Sequence, residues 1–104
     1  MINKAFKMQV FKDSYEEYAR RHDALWPEMR EMLQSHGVRE YSIFLDNETG
    51  VLFAHAKIES EKLWDDISKT DICKKWWEYM ADIMATNPDS SPQSTNLDQV
   101  FNLV

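Results

Sequence analysis

The chain has 104 residues, 43% of them hydrophobic, and a net charge of −6. That length suits one domain, residues 1–104, able to bury roughly two-thirds of its unfolded surface without staples, and the apolar fraction excludes a disordered chain. The acidic balance argues against nucleic acid and anionic membrane as partners, because basic runs such as Lys74-Lys75 are too short to track a phosphate backbone.

Met1-Ile2-Asn3-Lys4 leads straight into an alternating segment with no signal core, and no apolar run approaches a membrane span. One cysteine cannot form an internal disulfide, and six methionines fit a reducing interior, so the expected address is cytoplasmic. Cys73 has no partner in the sequence and reads as a buried, inert thiol.

Ile2, Phe6, Met8 and Val10 alternate with Asn3, Lys7 and Gln9, which predicts a first strand over Ile2 to Val10. Asp13-Ser14-Tyr15-Glu16 has the form of a capping box and opens a helical pattern that runs to His36. Tyr15, Tyr18, Leu25, Met29, Met32, Leu33 and His36 mark its apolar stripe. Glu16 with Arg20 and Glu17 with Arg21 form i,i+4 pairs on the opposite face. Pro27 falls inside the pattern, so a break is expected near Leu25-Trp26, with Pro27 opening the second half and Gly37 ending it.

Val38 to Asp46 and Val51 to Ile58 read as a hairpin around Asp46-Asn47-Glu48-Thr49-Gly50. Ser60 caps a short helix through Lys69, and Thr70 or Asp71 starts another that runs to about Met84. Ala85 to Thr95 is a turn-rich loop, and Leu97 to Val104 is expected as a fourth strand. The order β-α-β-β-α-β is that of an α+β ferredoxin-like sandwich of the dimeric α/β-barrel type, with helices on one face of an antiparallel sheet. Strands two and three carry bulky apolar side chains on both faces, so sheet-to-sheet homodimerisation is expected to cover the face without helices.

His22 is the residue that helix formation does not explain. At 100° per residue it falls within roughly 20° of the middle of the apolar stripe. Tyr18 lies one turn before it and Trp26 one turn after, an amphipathic ridge suited to lining a pocket for a small polar ligand. Trp76 and Trp77 point about 100° apart on their helix, which puts Trp77 at the edge of a broad apolar arc. A ring in that position stacks well on the C–H face of a sugar. His22, His36 and His55 show no metal-ligand spacing, and no glycine-rich phosphate loop or Gly-x-Ser-x-Gly is present.

Met8-Gln9-Val10, Tyr18-x-x-x-His22, Trp26-Pro27-Glu28, Ser35-His36-Gly37, Thr70-Asp71-x-Cys73-x-x-Trp76-Trp77-x-Tyr79-Met80 and Asn87-Pro88-Asp89-x-Ser91-Pro92 together resemble the L-rhamnose mutarotase family over nearly the full length. The resemblance implies a cytoplasmic, dimeric ferredoxin-like enzyme that interconverts the α and β anomers of L-rhamnose without metal or cofactor. It also implies that His22 is the proton donor and that Tyr18, Tyr41, Trp76 and Trp77 contact the sugar. Asp23-Ala24 departs from the Asn-Pro common in the family. A non-catalytic sugar-binding module on the same fold, with His22 only a hydrogen-bond donor, is the main competing reading. Oxygenase-like chemistry, known from other dimeric ferredoxin-like domains, is a third and rests on fold analogy.

Overall fold

The computed structural model describes all residues from Met1 to Val104. Four antiparallel strands, β1 (Ile2–Gln9), β2 (Val38–Leu45), β3 (Val51–Ile58) and β4 (Thr95–Asn96), lie in the order β2-β3-β1-β4. The helices are α1 (Tyr15–Asp23), α2 (Pro27–Ser35), α3 (Glu61–Ile67) and α4 (Asp71–Met80). The expected ferredoxin-like α+β architecture is therefore present.

Alternation decides which face of the sheet is the core. Leu52, Ala54, Ala56 and Ile58 of β3 are buried beneath the helices, and register sets Met8 and Phe6 of β1 beside Leu52 and Ala54. Leu45, Ile43 and Tyr41 of β2 flank the same strand on its other side. Side chains from Met29, Met32, Cys73, Trp76 and Met80 close the core from above. Val51, Phe53 and His55 point to the other face, where Phe44 and Phe53 pair across the strands and are 65% and 42% exposed.

Pro27 occupies the first turn of α2, and the chain breaks between Asp23 and Pro27 as its geometry requires. Asp13 forms no capping box: Lys12–Ser14 is a short 3₁₀ turn, and neither it nor α1 has a side-chain cap. Arg20 pairs with Glu17, at 2.7 Å, and not with Glu16. Ser60 and Thr70 do cap, each accepting from a backbone N–H three residues on, Leu63 and Cys73, at 3.3 Å. α4 stops at Met80, before the expected Met84. The following turn instead joins the end of β1, where Phe11 N donates to Ile83 O and Ala85 N to Gln9 O.

The fourth strand differs most from expectation. Only Thr95 and Asn96 pair with β1, opposite Lys7 and Phe6, and Leu97 to Val104 is not a strand. Leu97 N still donates to Ala5 O, but beyond it the apolar side chains are open to solvent: Val100 is 94% exposed, Phe101 76% and Leu103 84%.

Two glycines make the turns at either end of the hairpin. Gly37 has φ +80°, and an added Cβ would first meet the Glu59 side chain at 3.2 Å. Gly50 has φ +77°, and a Cβ there would lie 2.5 Å from Gln9 Nε2 and 2.8 Å from the Val10 carbonyl oxygen. Gly37→Ala should cost ~1–2 kcal/mol from backbone strain alone. Gly50→Ala should cost clearly more, since it also displaces the Gln9 side chain that donates to Thr49 O at 2.7 Å. Denaturant titration of the two variants checks that order; equal losses would contradict it.

Candidate functional site

A cavity of about 780 Å³ opens between the helices and the sheet. In the sheet beneath it, the two middle core residues of β3 are the small and buried Ala54 and Ala56. Phe6 sits beside Ala54 and Tyr41 beside Ala56, so the two rings approach across the small residues, edge to face at 6.3 Å. Trp64 of α3 closes on both, at 6.1 and 6.0 Å.

The opposite wall comes from α1 and α4. His22 stacks on Tyr18 with ring centroids 4.3 Å apart and meets Trp76 edge-on at 5.4 Å. Nδ1 of His22 lies 2.9 Å from the Tyr18 carbonyl oxygen. A carbonyl only accepts, so Nδ1 carries the proton and Nε2 is the nitrogen left for a ligand. Burial lowers the imidazole below its ordinary 6.5, against smaller upward pulls from the Tyr18 carbonyl and the Asp23 carboxylate. His22 is thus neutral at pH 7, with a lone pair on Nε2. Desolvation pushes the Tyr18 and Tyr41 phenols up, Tyr41 with added repulsion from Tyr18 and Cys73, so both stay protonated. The same cause raises the Cys73 thiol to about 12, in keeping with an inert residue.

Tyr18, His22, Tyr41, Trp76 and Trp77, drawn from α1, β2 and α4, all line this one cavity. Trp76 is 6% exposed and belongs to the core as well, whereas Trp77 is half-buried at the rim. Trp26 does not line the cavity. The extended backbone at Trp26 (φ −56°, ψ 134°) takes it out of helical register, and its ring packs on Trp76 at 5.1 Å and Tyr79 at 5.3 Å. His55 lies on the helix-free face, 3.1 Å from Asn3 Oδ1, and His36 bonds the Met32 carbonyl; neither approaches the cavity.

Sequence reasoning missed Arg21, which reads as a surface charge. It is 9% exposed and lies between α1 and α4. Its guanidinium donates to Glu17 at 2.7 Å, to the Tyr79 carbonyl at 2.6 Å and to Asp82 at 2.9 Å, and its cation lies 4.3 Å from the Tyr79 ring centre. In the sequence Phe6 is one of the alternating apolar residues of the first strand, and Trp64 is an apolar residue of the short helix that Ser60 caps. Their place in the cavity follows from strand register and helix docking, which no local pattern encodes.

Residues 3–103 match the family model described as L-rhamnose mutarotase. The L-rhamnose mutarotase of Lachnoclostridium phytofermentans is 54% identical over 103 residues, 99% of each chain. The crystal structure of an L-rhamnose mutarotase from Formosa agariphila superposes with a TM-score of 0.92 at 45% identity, covering 100% of both chains. A dimeric ferredoxin-like protein from an uncultured marine organism shares the fold alone, with a TM-score of 0.66 at 14% identity over 98% of this chain and 96% of that one. With its full-length match and its aromatic cavity around a single histidine, this chain belongs to the L-rhamnose mutarotase family.

Proposed function

We propose that the chain interconverts the α and β anomers of L-rhamnose, with His22 carrying the proton. The observation behind this role is the Nδ1 bond to the Tyr18 carbonyl, which leaves a neutral Nε2 at the wall of the cavity. Ring opening removes a proton from O1, breaks the C1–O5 bond and delivers a proton to O5, leaving a carbonyl at C1. Neutral Nε2 takes the first proton, and the imidazolium so formed donates to O5; both oxygens are bonded to C1, so one ring serves both transfers. Rotation about C1–C2 and the reverse sequence give the other anomer, and His22 ends as it began. Such general acid–base help typically supplies ~10²–10⁴-fold, enough for a reaction already facile in water. Tyr18 and Tyr41 offer hydroxyl donors to the sugar, and Trp76 and Trp77 offer flat apolar faces. These chain groups carry the whole proton cycle, so the reading requires no metal or cofactor.

The assembly is proposed as a homodimer through the helix-free face of the sheet. Phe44 and Phe53, exposed and paired across β2 and β3, and the exposed apolar tail residues Val100, Phe101 and Leu103 support it, since large apolar side chains grouped on a surface mark interaction sites. A cytoplasmic address is part of the same proposal. It is supported by a single buried thiol and by helices none of which is long and apolar enough to cross a membrane.

His22→Asn should lower catalysed anomer exchange, read by saturation transfer between the anomeric NMR signals, by on the order of 10²-fold or more. Retention of the wild-type rate would remove His22 from the mechanism. The wild-type rate should be flat above pH 6.5 and fall as pH drops through the lowered imidazole pKa. Folding stability has the same sign: the native state prefers neutral His22, so its contribution is complete above 6.5 and is lost as pH falls from there to the native value.

Trp76→Ala should cost ~3–5 kcal/mol of stability, being a core truncation. Trp77→Ala should chiefly weaken sugar binding, measured by fluorescence titration beside denaturation curves. Identical behaviour of the two would contradict the division between core and rim. Sedimentation equilibrium at micromolar concentration should give a dimer burying at least ~1,000 Å², and Phe44→Glu with Phe53→Glu should give monomer. A monomeric wild type would refute that assembly.

A further inference from the structure

The segment from Ala85 to Ser94 has no part in the proton chemistry, yet Asn87, Ser91, Pro92 and Ser94 line the cavity. It is a fastened loop. Gln93 N donates to Ala85 O at 3.1 Å, Asn87 N to Ser91 O at 2.7 Å, and Ser90 N to Asn87 O at 2.9 Å. Its side chains form a directed chain of hydrogen bonds. The Ser91 hydroxyl donates to Asp89 Oδ1 at 2.5 Å, and the Ser91 backbone N–H donates to the same oxygen at 3.0 Å. Those two bonds hold the Asp89 carboxyl below the usual carboxylate range, so Asp89 is a pure acceptor at neutral pH.

With its only proton given to Asp89, Ser91 Oγ can only accept from Asn87. The Asn87 amide nitrogen donates there at 3.0 Å and approaches the Pro92 carbonyl at 3.4 Å. Turning the amide over would set its oxygen against two acceptors, so this orientation is the one the network allows. Both amide hydrogens are directed into the loop, and the group left for a ligand is Oδ1.

We propose that Asn87 is a specificity-determining residue, whose Oδ1 accepts a hydrogen bond from one of the sugar's non-anomeric hydroxyls while Ser91 and Asp89 hold the amide in place. The inference rests on the mutarotase reading. Besides His22, the polar side chains lining the cavity are Asp23, Asn87, three serines and the hydroxyls of Tyr15, Tyr18 and Tyr41, and among them Asn87 carries the one amide oxygen for the hydroxyls at C2, C3 and C4 of a 6-deoxyhexose. An acceptor fixed in one direction favours the stereoisomer that presents a hydroxyl to it and disfavours one that does not. Asp89 touches no reacting atom in this arrangement and is a positioning residue.

The test is the catalysed anomer-exchange kcat/KM of wild type, Asn87→Ala and Asp89→Asn on L-rhamnose and on its 2-, 3- and 4-deoxy analogues, with thermal unfolding of each variant as the folding control. Wild type should lose roughly tenfold on one analogue, the worth of one neutral hydrogen bond. Asn87→Ala should lose a similar factor on L-rhamnose and nothing further on that analogue. Asp89→Asn should show a smaller loss with the same analogue dependence. Equal losses on every sugar, or Asn87→Ala rates within twofold of wild type throughout, would overturn the assignment while leaving the mutarotase reading intact. If wild type itself failed to speed exchange of L-rhamnose, the mutarotase reading would fall, and this inference with it.

Discussion

Arg21 joins the first helix to the last, and the site depends on that junction. Its guanidinium fills the space between α1 and α4, bonding a carboxylate of its own helix, the Tyr79 carbonyl and Asp82 beyond the end of α4. A charge so enclosed is costly unless every donor is used, and here the planar fork meets three partners and an aromatic face. The Glu17 carboxyl, between Arg20 and Arg21, is correspondingly held down to about 2. Because His22 follows Arg21, this clamp sets the imidazole against Trp76.

From that junction the cavity follows by subtraction. A ferredoxin-like layer of helices on a sheet ordinarily meets in packed side chains. Here β3 places the small residues Ala54 and Ala56 between β1 and β2, and the rings of Phe6, Tyr41 and Trp64 gather beside them at the cavity wall. Rings are stiff, so the space keeps its shape without polar struts. One backbone carbonyl, that of Tyr18, then selects the tautomer of the only histidine in the cavity. Burial and tautomer act together: the first keeps the imidazole neutral, and the second decides which nitrogen can receive a proton.

Much of this was legible in the residues and some was not, for identifiable reasons. Alternation and turn residues gave β1 to β3 within a residue, because period-two patterns and the positive-φ glycines are local signals. Pro27 marked the helix break, since the restriction on the residue before a proline is also local. His22 stood out because an ionisable group in an apolar stripe needs an explanation. Arg21 was hidden: its pairing with Glu17 satisfies a surface reading, and only docking to α4 buries it. Trp26 was misplaced because helical angles were carried across a break that resets them. The tail has the composition of a strand, but its backbone follows β1 only from Thr95 to the bond of Leu97 N to Ala5 O and then leaves the edge.

The central claim is that a backbone bond fixes the His22 proton on Nδ1 and leaves a neutral Nε2 facing the sugar. Long-range ¹H–¹⁵N correlation of the histidine rings, followed from pH 4.5 to 8 as an order-of-magnitude window about the ordinary imidazole value of roughly 6.5, measures this directly. The account predicts the Nδ1–H tautomer for His22 at neutral pH and a midpoint below 6.5. An Nε2–H tautomer, or a midpoint at or above 6.5, would contradict it.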